Sequence, residues 1–104
     1  MLYLKNSCIF VKQLITKTLY YKTFKHLEFK AHRSLEGGVH AKMQFDNGSW
    51  ISVVGGGDGQ FLKGNGTTSF EIMSNVTEKT ALGVEGWLTP AKITQRMRWL
   101  QLKG

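Results

Sequence analysis

The chain contains little cysteine, little proline and few acidic residues. Its 104 residues include one cysteine, Cys8, and one proline, Pro90, so no disulfide can form between two of its own residues. No apolar run approaches the roughly 20 residues of a membrane-spanning helix. These absences exclude a disulfide-stapled scaffold, a collagen-like repeat and a membrane span. The length fits one small domain.

Acidic residues are scarce, and the charge is unevenly distributed. The 14 Lys and Arg residues against 7 Asp and Glu residues give a net charge of +7. Residues 1–26 hold five of the lysines and no acidic residue. Residues 27–104 carry nine basic and seven acidic residues, a net charge of only +2. The whole-chain charge is therefore a weak indication that the compact part binds nucleic acid.

Residues 1–26 are predicted to form a basic extension, and residues 27–104 a single domain. The extension has three alternative interpretations. It is a poorly ordered tail, upstream sequence translated from a misplaced start, or a cationic helix lying on a membrane surface. A secretory signal fits poorly, because no small-x-small cleavage site follows the short apolar run. We expect deletion of residues 1–26 to leave folding intact. Apolar residues recur in the extension at helical spacing: Leu4, Cys8, Val11, Ile15 and Leu19.

The compact part begins with strand patterns. Apolar and polar side chains alternate in residues 27–31 and again in residues 39–45, which is the period of a half-buried strand. Residues 46–48, Asp-Asn-Gly, carry the strongest hairpin signal in the chain. Residues 49–54 are β-branched and aromatic, and we expect them to pair back onto the preceding strand.

The second half predicts further strands and a helix. Residues 55–66 contain six glycines and predict a flexible connection, while residues 67–73 and residues 81–84 predict strands. Thr89-Pro90 is typical of a helix start, and an apolar stripe follows at i, i+4 and i+7. The predicted fold is α+β, an antiparallel meander of three or four strands with one C-terminal helix packed on it. The stripe consists of Ile93, Met97 and Leu100.

No catalytic, cofactor or metal site is predicted. Cys8 stands alone, and His26, His32 and His40 show no paired ligand spacing. The glycine-rich connection lacks the phosphate-binding P-loop pattern, and no serine occupies a nucleophile elbow. The sequence therefore favours a protein that is not an enzyme.

One surface is the leading candidate for binding a partner. If the apolar side of the first two strands faces the core, four cationic or imidazole side chains share the outer face, and an indole lies near them if the hairpin register allows. A cationic sheet face with an aromatic residue is typical of proteins that bind single-stranded nucleic acid, although a plain solvated face is common in antiparallel sheets. The five candidate residues are Lys30, His32, His40, Lys42 and Trp50.

A second candidate surface surrounds the C-terminal helix. Trp87 and Trp99 lie there with Arg96 and Arg98, and Trp and Arg are favoured at protein interfaces. We nevertheless expect both tryptophans to pack in the core.

Three segments carry a resemblance to a known group of proteins. They are LEFKAHRSLEGGVHAKMQFDNGSWISVVGGG, GNGTTSFEIM and GVEGWLTPAKITQRMRWLQ. Together they resemble small proteins of tailed bacteriophages and prophages over residues 27–101. The resemblance implies a phage accessory product that acts in the bacterial cytoplasm. It implies no known activity, and the extension departs from the pattern.

The expected function is that of a non-enzymatic module that binds a host or phage protein. The alternative is a nucleic-acid-binding protein that uses the cationic sheet face. The oligomeric state is left open, because an exposed sheet edge could mediate a dimer.

Overall fold

The computed structural model describes residues 21–57 and 62–103. Predictions that concern residues 1–20, residues 58–61 of the glycine-rich connection, or residue 104 lie outside this part of the chain. Within it, five strands precede the C-terminal helix α1, and two short 3₁₀-helices lie at Phe24–His26 and Thr77–Lys79. The bounds are β1 Lys30–Ala31, β2 Gly38–Gln44, β3 Trp50–Gly56, β4 Phe70–Ser74, β5 Glu85–Leu88 and α1 Pro90–Lys103.

The strands form one antiparallel sheet in the order β1-β2-β3-β4-β5. The α+β class is confirmed, with five strands in the described ranges rather than three or four. The prediction of a strand at residues 81–84 is wrong, because the last strand begins at Glu85. The first strand is reduced from residues 27–31 to a pair of residues that bridges to β2.

The β2–β3 hairpin follows the sequence closely. The amide of Phe45 donates to the carbonyl of Ser49 at 2.7 Å, and the amide of Gly48 donates to the carbonyl of Phe45 at 3.0 Å. Gly48 has a φ of 88°, a conformation that glycine adopts without steric cost. The predicted Asp-Asn-Gly turn is confirmed, and it fixes the register in which Gln44 faces Trp50.

The last strand contains a bulge. Phe70 pairs with Leu88 and Ile72 pairs with Glu85, so two residues of β5 stand opposite one residue of β4. Within the bulge Trp87 has a φ of 58°, and its amide donates to the carbonyl of Lys63 at 2.6 Å. The extra residue lets Glu85 and Leu88, three positions apart, both lie on the helix side of the sheet.

Helix α1 begins as the sequence indicates and covers one face of the sheet. The hydroxyl of Thr89 accepts from the amide of Lys92 at 3.3 Å, which caps the first turn. The predicted stripe is fully buried: Ile93 and Met97 are 0% exposed and Leu100 is 2% exposed. These side chains join the inward residues of β3 and β4 in one core cluster, whose central members are Ile51, Val53, Phe70 and Ile72.

The folded unit includes residues that precede Leu27. The ring of Phe24 lies 5.4 Å from that of Phe29 and 5.2 Å from that of Phe70, measured between centroids. The Lys22 amide donates to the Gln101 side chain at 2.8 Å, and that side chain donates back to the Lys22 carbonyl at 2.8 Å. The contacts of Lys22 and Phe24 therefore lie on the N-terminal side of the predicted boundary after His26, because an aromatic cluster extends the core in that direction.

We predict that Phe24→Ala lowers the free energy of unfolding by about 1–3 kcal/mol, since it empties one corner of a three-ring cluster that is only partly closed to water. Urea denaturation measures the change. Lys25→Ala is the matched control, because Lys25 is exposed on the same 3₁₀-helix. A loss at Phe24 no larger than that at Lys25 would show that residues before Leu27 do not contribute to the fold.

Candidate functional site

The outer face of β1, β2 and β3 gathers the predicted surface residues. Lys30 stands opposite His40, and Gln44 stands opposite Trp50. His40 and Lys42 point away from the core, because the buried Ala41 lies between them. The structure therefore brings all five side chains to one side of the sheet. We call Lys30, His32, His40, Lys42 and Trp50 the outer sheet face.

Lys42 and Trp50 are the most closely coupled residues of this face. The Lys42 ammonium lies 5.7 Å from the centroid of the Trp50 ring, within the distance at which a cation is attracted to an aromatic face. The contact crosses the β2–β3 ladder on the diagonal, since Lys42 itself faces Ser52. The amide of Trp50 donates to the side chain of Asn75 at 3.0 Å. The β2–β3 register thus places an indole and an ammonium together at the surface.

The two histidines form a second pair at the other end of the face. The rings of His32 and His40 lie 5.9 Å apart in an edge arrangement. Nδ1 of His32 accepts from the amides of Ser34 and Leu35 at 3.1 Å and 3.2 Å. Because Nδ1 accepts both bonds, the proton of the neutral ring is assigned to Nε2. The two bonds also fix the orientation of the imidazole.

Residues of β4 complete the composition of the surface. Glu71 faces Val54 across the ladder, and Met73 faces Ser52. The Met73 side chain is 43% exposed. The surface is therefore cationic at β1 and β2 but includes a carboxylate and a thioether towards β4. The carboxylate offsets part of the positive charge that would attract phosphate, and the thioether adds an apolar group to the surface.

The expectation that both tryptophans near the helix pack in the core is wrong. Trp87 is 67% exposed and Trp99 is 47% exposed. The buried stripe of α1 runs through the neighbouring positions Met97 and Leu100, which leaves Trp99 at the edge of the covered face. Trp87 lies in the β5 bulge, where the backbone turns its side chain away from the core.

A groove along the helix was not predicted from the sequence. It has a volume of about 630 Å³ and lies between α1 on one side and β4, the second 3₁₀-helix and β5 on the other. We call it the β5–α1 groove. Its β5 wall includes Glu85 at the start of the bulged strand, and no local sequence pattern predicts that bulge. The available signal was the helix sequence, in which Lys92, Arg96, Trp99 and Lys103 recur at i, i+4, i+7 and i+11.

An ion pair spans the β5–α1 groove. Nε of Arg96 donates to Oε1 of Glu85 at 2.9 Å, and its Nη2 donates to Oε2 at 2.8 Å. The Arg96 hydrogen bond holds the pKa of Glu85 below its ordinary value of 4.5, against the opposing effect of partial burial, and the charges of Arg96 and Lys92 lower it further. The same hydrogen bond raises the pKa of Arg96.

We predict that Glu85→Gln lowers the free energy of unfolding at pH 7 by less than about 1 kcal/mol, because the pair is solvent-exposed. The depressed pKa means that the carboxylate stabilises the fold above its unfolded pKa. This contribution is lost as pH falls through the folded pKa, so variant and wild type should converge in acid. Urea denaturation at several pH values measures the difference.

Glu78→Gln is the control, because Glu78 is an exposed carboxylate of the second 3₁₀-helix. An effect of Glu85→Gln that grows as pH falls would contradict the assignment of the ion pair.

Comparison with known proteins found no match: no family model, curated protein or solved structure is similar to this chain. Within residues 21–57 and 62–103, no helix has the length and apolar character needed to cross a membrane. Over the same residues, no group of three or more His, Cys, Asp and Glu side chains is placed to hold a metal ion.

Proposed function

We propose that this protein is a non-enzymatic binding module that uses the outer sheet face to bind a partner protein. The observation that supports this is the β1–β2–β3 register, which collects four nitrogen-bearing side chains and an indole on one exposed surface. Helix α1 packs on the opposite face of the sheet, so within the described part of the chain the outer sheet face is left for a large partner.

The composition of the surface favours a protein partner with an acidic patch. Trp50 supplies the kind of aromatic contact that dominates many protein interfaces. Lys30 and Lys42 supply charges that favour acidic side chains and speed their association. Met73, which lies across β3 from Lys42, adds a flexible apolar contact. Charges beside an indole fit an interface in which one aromatic residue contributes most of the affinity.

We propose further that the protein is an accessory factor of a tailed bacteriophage or prophage, acting in the cytoplasm of its bacterial host. The support is the resemblance of residues 27–101 to such proteins, carried by three sequence segments. The resemblance implies that such a product often works by binding a host component, which agrees with a partner-binding outer sheet face. The partner is then a host or phage protein.

A second candidate function rests on the contact between Lys42 and Trp50. An indole beside an ammonium is the arrangement on which single-stranded nucleic acids stack while their phosphates are neutralised. The carboxylate of Glu71 on the adjoining strand opposes this function. Nucleic acid therefore remains the alternative ligand of the outer sheet face.

We predict that Trp50→Ala and Lys42→Glu each weaken partner binding about tenfold, because each removes one half of the indole–ammonium pair of the surface. The measurement is quantitative mass spectrometry of proteins retained from nuclease-treated bacterial lysate by the immobilised full chain. Lys79→Glu is the matched control, since it makes the same charge change on the second 3₁₀-helix. Partner retention that Trp50→Ala leaves unchanged, or that Lys79→Glu reduces as much as Lys42→Glu does, would contradict the proposal.

The same variants distinguish the second candidate. Fluorescence anisotropy with labelled oligo-dT and oligo-rU gives the affinity at several salt concentrations. Binding that falls steeply with salt, with a slope of about 0.7 for each phosphate neutralised, and that Trp50→Ala abolishes would assign the face to nucleic acid. Absence of such binding leaves the protein partner as the ligand.

A further inference from the structure

We propose that the β5–α1 groove is a second docking site for an acidic segment of a partner protein. The apolar side chains of that segment would enter the groove. The groove lies on the helix side of the domain, opposite the outer sheet face. It is therefore independent of the function proposed above and can be tested separately. The volume of about 630 Å³ falls within the range of about 300–1,000 Å³ that is typical of ligand pockets.

The floor of the groove presents apolar groups, because its hydroxyls already have partners. The amide of Ser74 donates to Oγ1 of Thr77 at 2.7 Å, and this hydroxyl donates to the carbonyl of Ser74 at 3.2 Å. The hydroxyl of Ser74 accepts from the amides of Val76 and Thr77 at 3.1 Å and 3.2 Å. An aliphatic side chain can therefore enter without leaving a polar atom unsatisfied.

Trp99 provides the contact for such a side chain. It lines the groove next to Leu100, yet it is 47% exposed. A large apolar side chain left at the rim of an apolar groove is the feature that becomes buried when an interface forms. Covering the indole with an aliphatic group would complete the core on this side of the helix.

Charge identifies the kind of segment that would bind. Helix α1 contains four basic residues and no acidic residue. At 100° per residue, Lys92, Arg96, Trp99 and Lys103 fall on one side of the helix. Glu85 already holds Arg96. Neither Lys92 nor Lys103 forms an ion pair with a residue in the described part of the chain, so both ammonium groups are available to carboxylates of a ligand.

The spacing of these lysines favours a stretch of polypeptide over a small molecule. Lys92 and Lys103 are 11 positions apart, which corresponds to about 16 Å along a helix. A single small acid cannot contact both ends. On this side of α1 the groove-lining Trp99 lies between two lysines that stand beyond the groove's ends. A segment that carries acidic residues on either side of one or two aliphatic residues matches this order.

The test measures binding of synthetic peptides to the full chain by fluorescence anisotropy. The probe is a labelled 14-residue peptide of Leu and Glu, with Leu recurring every three or four positions. One comparison peptide replaces each Leu with Ser, and another replaces each Glu with Lys. We expect saturable binding of the Leu–Glu peptide and at least about tenfold weaker binding of both others, since both the apolar and the acidic groups are needed.

Two matched pairs of variants locate the site. Trp99→Ala should weaken binding of the Leu–Glu peptide at least about fivefold, whereas Trp87→Gly removes an exposed indole outside the groove and should change it less than twofold. Lys103→Glu should weaken binding several-fold. Arg98→Glu makes the same charge change on the far side of the helix and should have little effect. All four residues are exposed, so the variants should fold, and thermal melts verify this.

Several results would overturn the proposal. The first is a failure of the Leu–Glu peptide to show saturable binding. A second is binding of the Ser–Glu peptide as tight as that of the Leu–Glu peptide. A third is a loss of Leu–Glu peptide binding that is the same for Arg98→Glu and Lys103→Glu. Either result would show that net charge alone attracts the peptide. Concentration-dependent dimerisation that Trp99→Ala abolishes would assign the groove to a second copy of the chain. Loss of binding with Trp50→Ala but not with Trp99→Ala would assign the peptide to the outer sheet face.

Discussion

The packing of helix α1 against the inner face of the sheet determines the rest of the structure. A chain of this size has room for one core, and its burial of apolar surface is modest. That core lies between Ile93, Met97 and Leu100 on the helix and the inward side chains of β3 and β4. Among residues 21–57 and 62–103, α1 is the one long helix of the second layer, and the side chains on the opposite face of the sheet are not part of the core. The position of the outer sheet face is thus a consequence of the core.

The same arrangement explains why a groove exists. One helix is narrower than a sheet of five strands, and α1 leaves part of the inner face near β4 and β5 uncovered. The β5 bulge places Glu85 on this side, where it meets Arg96. The ion pair joins the two walls across the opening. Its exposure limits its contribution to stability, so its main effect is to fix the side chains at the rim.

The sequence was sufficient where local and long-range requirements coincide. In β2 the alternation around Ala41 predicts the face on which His40 and Lys42 lie, and the Asn-Gly turn sets the β2–β3 register. The buried stripe of α1 follows from helical spacing, as does its start at Thr89. These features depend on neighbours within one element or one hairpin, so a single sequence carries enough information to predict them.

The sequence was insufficient where contacts join distant residues. The packing of Phe24 depends on Phe29 and Phe70, which the fold brings to the same corner, and nothing in residues 21–26 marks a position that packs against the core. The bulge at Trp87 depends on a hydrogen bond to Lys63 across the sheet edge. The exposure of Trp99 follows from the width of the helix–sheet contact, which periodicity alone does not give.

The stability of Met97→Ala is the decisive measurement of whether α1 closes the core. Met97 is 0% exposed at the centre of the helix–sheet contact. The account predicts a loss of about 2–5 kcal/mol in the free energy of unfolding, measured by urea denaturation, while Leu102→Ala on the solvent side of the same helix changes it by less than about 0.5 kcal/mol. Equal, small losses at the two positions would show that the helix does not close the core, and both proposed surfaces would then lose their structural basis.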